Sequence, residues 1–485
     1  MIKNASIIVL VVAILISCKS QKEESITEKT PWGEQSFLIP SFKDIEFNIL
    51  DYGAKTDTTF NNQKSIQEAI DKCNSTGGGR VIIPEGIWKT SYIELKSNVN
   101  LYLEKGSTLS FIDSIPLYAV PTFTRWEGLE CMNFHPLIYA KDQENIAITG
   151  EGTIKGNGAK WWKHARGTQK ISLKKLYDLV EAGVEPEKRN CLAFEPTSYL
   201  RPSMVQFINC NKILVDGIEL HSGPMWTTHF VYCTNLIARN LTVLTVGGNN
   251  DGIVPDACNG VLIDKCYFST GDDCVVIKSG LNEDGWRVGK ASENIIIKNC
   301  KTNHGHGGVV IGSEMSGGVR NVYAHDCDFS NTDRGLRIKS MKGRGGVIEN
   351  LWFENIRMDS IKKEAIKINM HYGSSSIEPR SDSLPTFHNF YYKNIHSTNS
   401  EFAVRIQGIE GHPVENIFFE NLNLKSKNGI AIENADNVHF DKLISVATQD
   451  EPHNIRHSKD IVFDSATFIT PTDTIRYPNL EINNL

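Results

Sequence analysis

The feature that most restricts the fold of this chain is a short repeated pattern that opens on asparagine. Each copy continues with alternating apolar residues of high β propensity and ends in a polar or glycine-containing turn. The copies begin at Asn145, Asn235, Asn294, Asn321, Asn350, Asn416 and Asn437. One coil of this kind cannot bury its apolar face alone, but stacked coils can, and asparagines at one turn position can form a hydrogen-bonded ladder. The pattern therefore predicts an all-β chain folded as a parallel β-helix.

Two competing β architectures, the propeller and the sandwich, are disfavoured by the same pattern. Both need antiparallel hairpins joined by two-residue turns such as Asn-Gly, and such strand pairs do not dominate this sequence.

Two segments depart from the repeat. Residues 65–73 have the pattern of a short amphipathic helix, which we expect to cover the open amino end of the stack. Residues 159–200 carry a helical spacing, and we expect an insertion there that forms either a wall of the cleft or a surface loop.

Length and charge narrow the class of function. A repetitive architecture can absorb all 485 residues into one continuous core. The net charge of −6 and the pI near 6.2 argue against nucleic acid as a partner, because binding it requires a broad basic face. An acidic polysaccharide would instead need a cleft that is basic only locally. No pattern indicates an oligomeric state.

The amino end has the layout of an export signal followed by a tether. Residues 1–17 carry a lysine and then an apolar run that is too short to span a bilayer, as in a secretory signal peptide. The segment Leu15-Ile16-Ser17-Cys18 resembles the lipobox of bacterial lipoproteins, in which the cysteine carries the lipid; the alternative is an ordinary secretory signal. Residues 18–44 are predicted to be a polar tether, and residues 45–485 the solenoid domain. We expect a protein anchored by lipid to a bacterial outer membrane, on its periplasmic or its cell-surface face.

Cysteine placement favours free thiols. Of the 11 cysteines, ten follow Cys18, and in an exported chain they could form disulfides. Five of them each follow an apolar segment at coil-like spacing, as equivalent sites on stacked coils would. These five are Cys210, Cys233, Cys266, Cys300 and Cys327. We therefore predict a ladder of small buried side chains, with one or two disulfides as the alternative.

Four short motifs in the middle of the chain carry the side chains that could do chemistry. They are Asn249-Asn250-Asp251, Gly271-Asp272-Asp273, Gly305-His306-Gly307 and Arg337-Ile338-Lys339. Asp251 and Asp272 are about one coil apart, so they would occupy neighbouring rungs roughly 4.8 Å from each other. Crowded carboxylates raise the pKa of at least one member, which keeps a proton available for acid catalysis. Arg337 and Lys339 would project from one face of a strand.

Each motif also has a plain structural explanation. Aspartate and asparagine are ordinary turn residues, a histidine between glycines can be a surface turn, and Arg337 with Lys339 can be a solvated edge. Turn composition does not explain why all four motifs occur in order at coil spacing. Together they favour hydrolysis of an acidic sugar chain, because one carboxylic acid can protonate the departing oxygen, a second carboxylate can activate water, and the cations can hold a uronate ring. This chemistry needs no metal ion and no organic cofactor.

On these four motifs the sequence resembles glycoside hydrolase family 28, the polygalacturonase family, from about Phe47 to beyond Phe419. The resemblance implies a right-handed parallel β-helix and a glycosidase that inverts the anomeric centre. Two departures are visible. Asn250 stands where the family usually has threonine, which is a common variation among bacterial members. The apolar Ile253-Val254 replaces a stretch that often contains a further aspartate, which concerns the fine positioning of substrate.

The resemblance assigns catalytic roles to four residues. Asp272 would be the general acid, Asp251 and Asp273 would be the pair that activates water, and His306 would support protonation of the acid. For inversion, the acid and the base should be separated by roughly 6.5 to 9.5 Å so that a water molecule fits between them.

The resemblance also implies a substrate, namely pectin or pectic oligosaccharides with α-1,4-linked galacturonic acid. Arg337 and Lys339 would bind the galacturonate carboxylate next to the scissile bond. Tyr372 would pack against the sugar, and Asn249 belongs to the same substrate-binding set.

Segment 123–128 and the insertion at 159–200 resemble features of bacterial exo-acting members, in which loops block one end of the groove. Four tryptophans could stack on sugars or could be buried against the solenoid, and both interpretations stand for each. They are Trp126, Trp161, Trp162 and Trp226. Three alternative functions also stand: a hydrolase of branched or rhamnose-containing pectin, a lyase-type β-helix that would usually need calcium, and a non-catalytic pectin-binding solenoid.

Overall fold

The computed structural model describes residues 24–194, 199–373, 381–449 and 452–483. Within these ranges, 33 strands form one continuous sheet that winds into coils, and strands of neighbouring coils pair in parallel. The predicted right-handed parallel β-helix is confirmed. The predicted signal 1–17 and Cys18 lie outside the described residues. None of the helices in the described ranges has the length and apolar character needed to cross a bilayer.

The first strands are β1 (Ser25–Thr30), β2 (Gly33–Leu38), β3 (Glu46–Asn48), β4 (Gly79–Ile83), β5 (Gly86–Thr90), β6 (Ile93–Glu94), β7 (Val99–Leu103), β8 (Ser107–Phe111), β9 (Thr122–Trp126), β10 (Leu129–Asn133), β11 (Ile138–Lys141), β12 (Glu144–Gly150) and β13 (Thr153–Lys155). The middle strands are β14 (Val205–Ile208), β15 (Asn211–Asp216), β16 (Glu219–His221), β17 (Thr228–Val231), β18 (Thr234–Arg239), β19 (Thr242–Leu244), β20 (Ile253–Asp256), β21 (Asn259–Asp264), β22 (Tyr267–Ser269), β23 (Val275–Ile277), β24 (Ser292–Lys298) and β25 (Lys301–Ile311). The last strands are β26 (Val319–Ser330), β27 (Thr332–Lys339), β28 (Val347–Asp359), β29 (Glu364–Asn369), β30 (Thr386–Ser397), β31 (Phe402–Gln407), β32 (Val414–Ser426), β33 (Asn428–Glu433), β34 (Ala435–Ala447), β35 (His453–Arg456), β36 (Lys459–Ile469) and β37 (Thr474–Ile482). The helices are α1 (Gln63–Ser75), α2 (Ala159–Glu181) and α3 (Asn282–Val288).

One face of the coils positions the functional motifs, and we call it the cleft face. It consists of β6, β11, β14, β17, β20, β23, the second half of β25, β27, β29, β31, β33 and β35. Side chains alternate along each of its strands. On β27, Leu336 and Ile338 point into the apolar core, so Arg337 and Lys339 point outward.

The asparagine that opens each repeat takes a backbone conformation that most residues avoid. Asn294 and Asn321 have φ of 59° and 54°, in the left-handed region that asparagine tolerates well. The Nδ2 of Asn294 donates to Oδ1 of Asn259 at 2.9 Å, and the Nδ2 of Asn321 donates to Oδ1 of Asn294 at 3.0 Å. The predicted asparagine ladder is therefore confirmed for these coils, where it fixes one turn of each.

Both ends of the stack are covered. At the amino end, α1 buries an apolar stripe against the first coils, which confirms the predicted capping helix. The stripe consists of Ile66, Ala69, Ile70 and Cys73. At the other end, β37 turns back and pairs antiparallel with β36, so the last coil presents one reversed strand. Covered edges prevent pairing with other chains.

The amino-terminal segment differs from the predicted tether. Strands β1 and β2 form an antiparallel hairpin that lies along the outside of the solenoid. Phe37 is fully buried in an apolar cluster that contains one residue from each of five successive coils. Those five are Ala147, Leu214, Ile237, Leu262 and Ile296. The tether prediction is wrong for residues 25–38, because the hairpin uses the apolar surface of the stack and needs no core of its own.

We expect Phe37→Ala to release this hairpin while the solenoid stays folded. Loss of a buried phenylalanine costs about 3 kcal/mol or more, so amide hydrogen exchange in residues 25–38 should accelerate by about two orders of magnitude. Leu38→Ala is the matched control, since the Leu38 side chain is 37% exposed. Unchanged exchange in Phe37→Ala would show that Phe37 does not hold the hairpin.

All ten cysteines in the described ranges are free and buried, which confirms the predicted ladder of small side chains. They do not form a single ladder, however. Cys210, Cys233 and Cys258 precede equivalent strands of successive coils, and Cys266, Cys300 and Cys327 occupy the next turn. The spacing in the sequence predicted one ladder of cysteines, whereas the structure has two, in two different turns.

Candidate active site

A cavity of about 1020 Å³ lies on the cleft face above β20, β23, β25 and β27. Its walls carry eight cationic side chains and six acidic ones, so the cleft is basic in a chain of net charge −6. The cationic residues are Lys170, Arg201, Lys278, Arg334, Arg337, Lys339, Arg344 and Lys363. The acidic residues are Glu127, Asp251, Asp272, Asp273, Glu314 and Asp333.

The four predicted catalytic residues meet in this cavity because they lie at equivalent places on successive coils. Asp251 precedes β20, Asp272 and Asp273 precede β23, and His306 lies in β25. Oxygen atoms of the three carboxylates lie within 4.8 Å of one another.

The nearest oxygen atoms of the acid and the base are therefore closer together than the predicted separation of roughly 6.5 to 9.5 Å. The side chains rise from neighbouring rungs, so the rung spacing of about 4.8 Å sets their distance. Two oxygen atoms at this distance can still hold one water molecule between them by hydrogen bonds.

Asp272 and His306 form a hydrogen-bonded pair. The Nδ1 of His306 lies 3.1 Å from Oδ1 of Asp272, and the main-chain N–H of Asp273 also donates to that oxygen, at 2.9 Å. Burial raises the pKa of Asp272, but the bond and charge of His306, together with Lys339 and Lys278, bring the pKa down to about 2. The same hydrogen bond raises the pKa of His306. In the free site, the proton of this pair therefore resides on the imidazole.

Among the three aspartates, Asp251 is the one whose pKa is raised. Burial is the larger cause and the charge of Asp272 the next, and together they outweigh Lys278. Crowding thus raises the pKa of one carboxyl, as the sequence predicts, but of Asp251 and not of the predicted acid Asp272. For Asp272 to act as an acid, it must receive the proton that His306 holds.

Lys339 pairs with Asp273 inside the site. Its Nζ lies 2.8 Å from Oδ2 of Asp273, and both side chains are buried. Asp251, Asp272 and Asp273 are, within the described ranges, the acidic groups close enough together to share a metal ion. The ammonium group already neutralises one of the three, so the set suits proton chemistry better than metal binding.

The predicted substrate-binding residues surround the same point. Tyr372 lies in the cavity wall, with its ring centroid 5.3 Å from Cζ of Arg337 and 5.2 Å from Nζ of Lys339. The Nε of Arg337 and Oδ1 of Asp273 are buried and have no hydrogen-bond partner in the protein. Buried polar atoms are rarely left unpaired, so this donor and this acceptor are available to a ligand.

The two asparagines of the first motif have different tasks. Asn249 lines the cavity, and its Oδ1 accepts a hydrogen bond of 2.9 Å from Nη2 of Arg201. Asn250 is fully buried, and its Nδ2 donates to two main-chain carbonyls of the preceding coil at 3.0 and 2.8 Å. Asn250 therefore holds the loop in place. Val254, in the stretch where the family often has a further aspartate, is buried within an apolar cluster and has no access to the cavity.

Sequence reasoning did not single out Lys278, Glu314 and Arg344, which also line the cavity. Lys278 forms a short ion pair with Glu314, and its Nζ lies 4.7 Å from the centroid of the Trp226 ring. Lys278 follows β23 at an outward position, so extending the alternation of that strand by one residue predicts its place in the cavity. Glu314 and Arg344 follow irregular turns, and no pattern in the sequence indicates them.

Glu127 reaches the cavity from the turn between β9 and β10. Glu127 and Gly128 have φ of 45° and 84°, as in the hairpin turns that need two left-handed residues. Burial raises the pKa of the Glu127 carboxyl to about 7, helped by Glu314 and opposed by Lys278 and Arg201. The segment predicted to block the groove therefore also places an acidic group in it.

The cavity is closed on its amino-terminal side. There β9, β10 and α2 pack on the outward surface of the cleft face and form a second apolar core. Its members include Trp126, Leu129, Leu173, Leu176, Tyr177, Val180, Trp226, Val254 and Val276. The outward side chains Tyr139, Gln206 and His229 of the preceding strands are buried as well. The insertion is therefore a wall of the cleft and not a surface loop.

The four tryptophans divide accordingly. Trp126 and Trp161 are buried in the two cores, so the sugar-stacking interpretation is wrong for both. Trp162 is half-buried and lines the cavity. Trp226 borders the cavity, but its side chain is as buried as that of Trp126 and its ring lies under Lys278. Of the four, Trp162 therefore remains as a surface for a sugar.

A buried ionic group fixes the closing hairpin to the cleft face. The Nη1 of Arg125 donates to Oδ1 of Asp256 at 2.8 Å, and Nε2 of His229 lies 3.2 Å from the other carboxylate oxygen. All three side chains are fully buried. The Nε of Arg125 also donates to the carbonyl of Gly128 at 3.2 Å, which holds the turn that carries Glu127.

We expect the alkaline limb of the pH–activity profile to report His306. Its pKa is raised by Asp272, so the imidazolium persists above its usual range, and hydrolysis should fall as the pH rises past that raised pKa. His306→Gln should lower kcat by about 10²-fold and abolish this limb. The control is His304→Gln, because His304 contacts a main-chain carbonyl and no catalytic carboxylate. An unchanged limb in His306→Gln would exclude His306 as the titrating group.

Comparisons with known proteins agree with this geometry. The sequence profile of glycosyl hydrolases family 28 matches residues 189–467. The crystal structure of a hyperthermoactive exopolygalacturonase from Thermotoga maritima is 36% identical, covers 92% of this chain and 96% of its own, and superposes with a TM-score of 0.79. The exo-poly-α-D-galacturonosidase of Dickeya chrysanthemi is 26% identical over 87% of this chain and 75% of its own length. A probable polygalacturonase of Vitis vinifera is 28% identical over 78% of this chain and 74% of its own.

Proposed function

Because this chain belongs to glycosyl hydrolase family 28, and is therefore a glycoside hydrolase, we propose that it hydrolyses α-1,4 bonds between galacturonic acid residues of pectin or pectic oligosaccharides, from the chain end. Relatives described as polygalacturonases and as exo-acting galacturonosidases support the substrate. The observation that carries the proposal is the meeting of three carboxylates with Arg337 and Lys339 in a cavity closed on one side.

The closed side supports exo cleavage. A long chain could cross the cavity only over the outward surfaces of β11, β14 and β17, and the second core occupies that space. The short part of the substrate, which becomes the product, must therefore lie against the closed end. The rest of the chain must leave toward β29 and the following strands.

In the proposed reaction, Arg337 and Lys339 hold the carboxylate of the sugar on the leaving side, beside Tyr372. Asp272 donates a proton to the departing glycosidic oxygen, and His306 returns the proton to the pair. Asp251 and Asp273 orient and deprotonate the attacking water. Asp251 must be ionised for this step. The positive charge that develops on the sugar in the transition state favours the ionised carboxylate.

We propose that the reaction inverts the anomeric centre, as is general for this family. The α linkage should then yield the β anomer first. Proton NMR during the first minutes of digestion of a short oligogalacturonide distinguishes the anomers before they equilibrate. Early appearance of the α anomer would mean retention.

The test of the function is a timed product profile with polygalacturonate and with short oligogalacturonides. We use the chain that begins after Cys18 and resolve products by size. Galacturonate monomer alone, from the first time point, is the expected result. A ladder of oligomers would mean an open groove and endo cleavage, and an ultraviolet-absorbing unsaturated product would mean elimination. Absence of any product would refute the proposed substrate.

We also propose that the protein is exported and attached to a bacterial outer membrane through a lipid on Cys18. The apolar run of the first residues and the sequence Leu15-Ile16-Ser17-Cys18 support this proposal. Cells fed radiolabelled palmitate should label the wild-type protein, and Cys18→Ser should abolish the label. Equal labelling of both would place the lipid elsewhere.

A further inference from the structure

The cleft face continues beyond the catalytic rungs over β29, β31, β33 and β35. A second cavity, of about 290 Å³, lies over the last three of these strands. Its lining includes Phe402, Arg405, Gln407 and Asn428. A single strand, β29, separates it from the catalytic cavity, which ends at Arg334, Arg337 and Lys363.

Three cations stand in register between the two cavities. Arg337 of β27 pairs with Lys367 of β29, and Lys367 pairs with Arg405 of β31. All three point outward, because their neighbours on each strand point into the core. They therefore form a row with a step of about 4.8 Å, which is close to the length of one pyranose residue in a chain.

This row of like charges destabilises the folded protein unless an anionic group binds to it. Like charges directly opposite each other on neighbouring strands destabilise a sheet. Glu364 compensates in part: its carboxylate lies 2.6 Å from Nζ of Lys367, 2.8 Å from Nε of Arg334 and 3.8 Å from Nη1 of Arg405. One carboxylate thus partly neutralises Arg334, Lys367 and Arg405. Arg337 forms no ion pair among the described residues. A net positive charge remains along the row.

We propose that Lys367 and Arg405 extend the substrate site, and that they bind carboxylates of uronate residues on the side of the cleaved bond that stays with the polymer. The inference rests on the proposed function. The other end of the cleft is closed, so the uncleaved part of an acidic chain must pass over β29 and β31. Phe402, whose ring centroid lies 5.1 Å from Cζ of Arg405, adds an apolar surface beside the guanidinium.

The consequence is a dependence of affinity on chain length. We expect kcat/KM of the wild-type protein to rise from the dimer upward, until the chain reaches β31, and then to level off. Arg405→Gln should raise KM for long chains by about 3- to 10-fold, in the range of one partly screened ion pair, and leave the dimer unaffected. Added salt should reduce the increase of kcat/KM with chain length in the wild-type protein.

Two variants make the result specific. Arg405→Lys keeps the charge and should keep most of the increase of kcat/KM with chain length. Arg357→Gln removes one positive charge from an exposed pair with Asp328 on another face, and should change nothing. If Arg405→Gln and wild type show the same length dependence, the extended site does not exist. If Arg405→Gln weakens the dimer as much as long chains, the effect is structural and the inference is also wrong. Failure of the wild type on every length would refute the proposed function instead.

Discussion

Asp272→Asn is expected to lower kcat for oligogalacturonides by about 10³-fold, because the amide can neither hold nor donate the catalytic proton. The substitution preserves shape, and the amide oxygen can still accept from the main-chain N–H of Asp273. Binding of a short oligogalacturonide should persist in this variant, since Arg337 and Lys339 are untouched. Turnover within tenfold of the wild type would show that Asp272 is not the acid.

The same experiment can decide between Asp272 and Asp251, whose pKa is the one raised in the free site. An aryl galacturonide with an acidic phenol leaves without needing a proton. The variant that lacks the general acid should therefore recover much of its rate on this substrate, while a variant that lacks the base should not. We expect recovery in Asp272→Asn and none in Asp251→Asn. Recovery in Asp251→Asn alone would mean that Asp251 is the general acid and that Asp272 helps to activate water.

Arg125→Met is expected to have the largest effect on stability, about 3 to 5 kcal/mol, because it leaves the carboxylate of Asp256 buried without its cation. His229 can compensate only by taking up a proton, and burial lowers its pKa. The midpoint of urea unfolding, followed by circular dichroism, measures the change. We expect the loss to be smaller at acidic pH, where His229 can become protonated beside Asp256.

The matched control is Arg125→Met combined with Asp256→Leu, which removes the buried charge as well as its partner. A double-mutant cycle then isolates the pair. The double variant should be more stable than Arg125→Met alone. If the single variant unfolds at the wild-type urea concentration, the buried pair does not hold the closing hairpin.

The sequence could predict what is periodic or local. The asparagine that opens each repeat indicates both the coil and the ladder, because one residue type satisfies a left-handed turn and a hydrogen bond to the next coil. Asp251, Asp272 and His306 share a cavity because equal places on successive coils are neighbours in space. Their proposed roles came from the family resemblance and not from the spacing.

What the sequence did not predict depends on contacts between distant segments. The β1–β2 hairpin has too few apolar residues to suggest a fold, and its docking depends on Ile237 and Leu262 of the solenoid. The order of the carboxyl pKa values depends on which aspartate meets His306. The separation of acid and base follows from rung spacing, and the general rule for inverting enzymes pointed to a larger value.

The docked hairpin also changes how the solenoid can come apart. In a stack whose coils touch only their neighbours, a crack between any two coils breaks a single interface. The amino-terminal segment is attached along several coils, because Ser41, Leu38 and Gln35 form hydrogen bonds with Asn145, Asn235 and Asn294 in turn. Any crack from Ala147 to Ile296 must therefore also strip this segment away. The hairpin also reaches β28, where Trp32 lies 5.5 Å from Trp352 between ring centroids. These coils, which include those of Asp251 and Asp272, should therefore open as one cooperative unit, while the coils after β28 remain free to fray from their end.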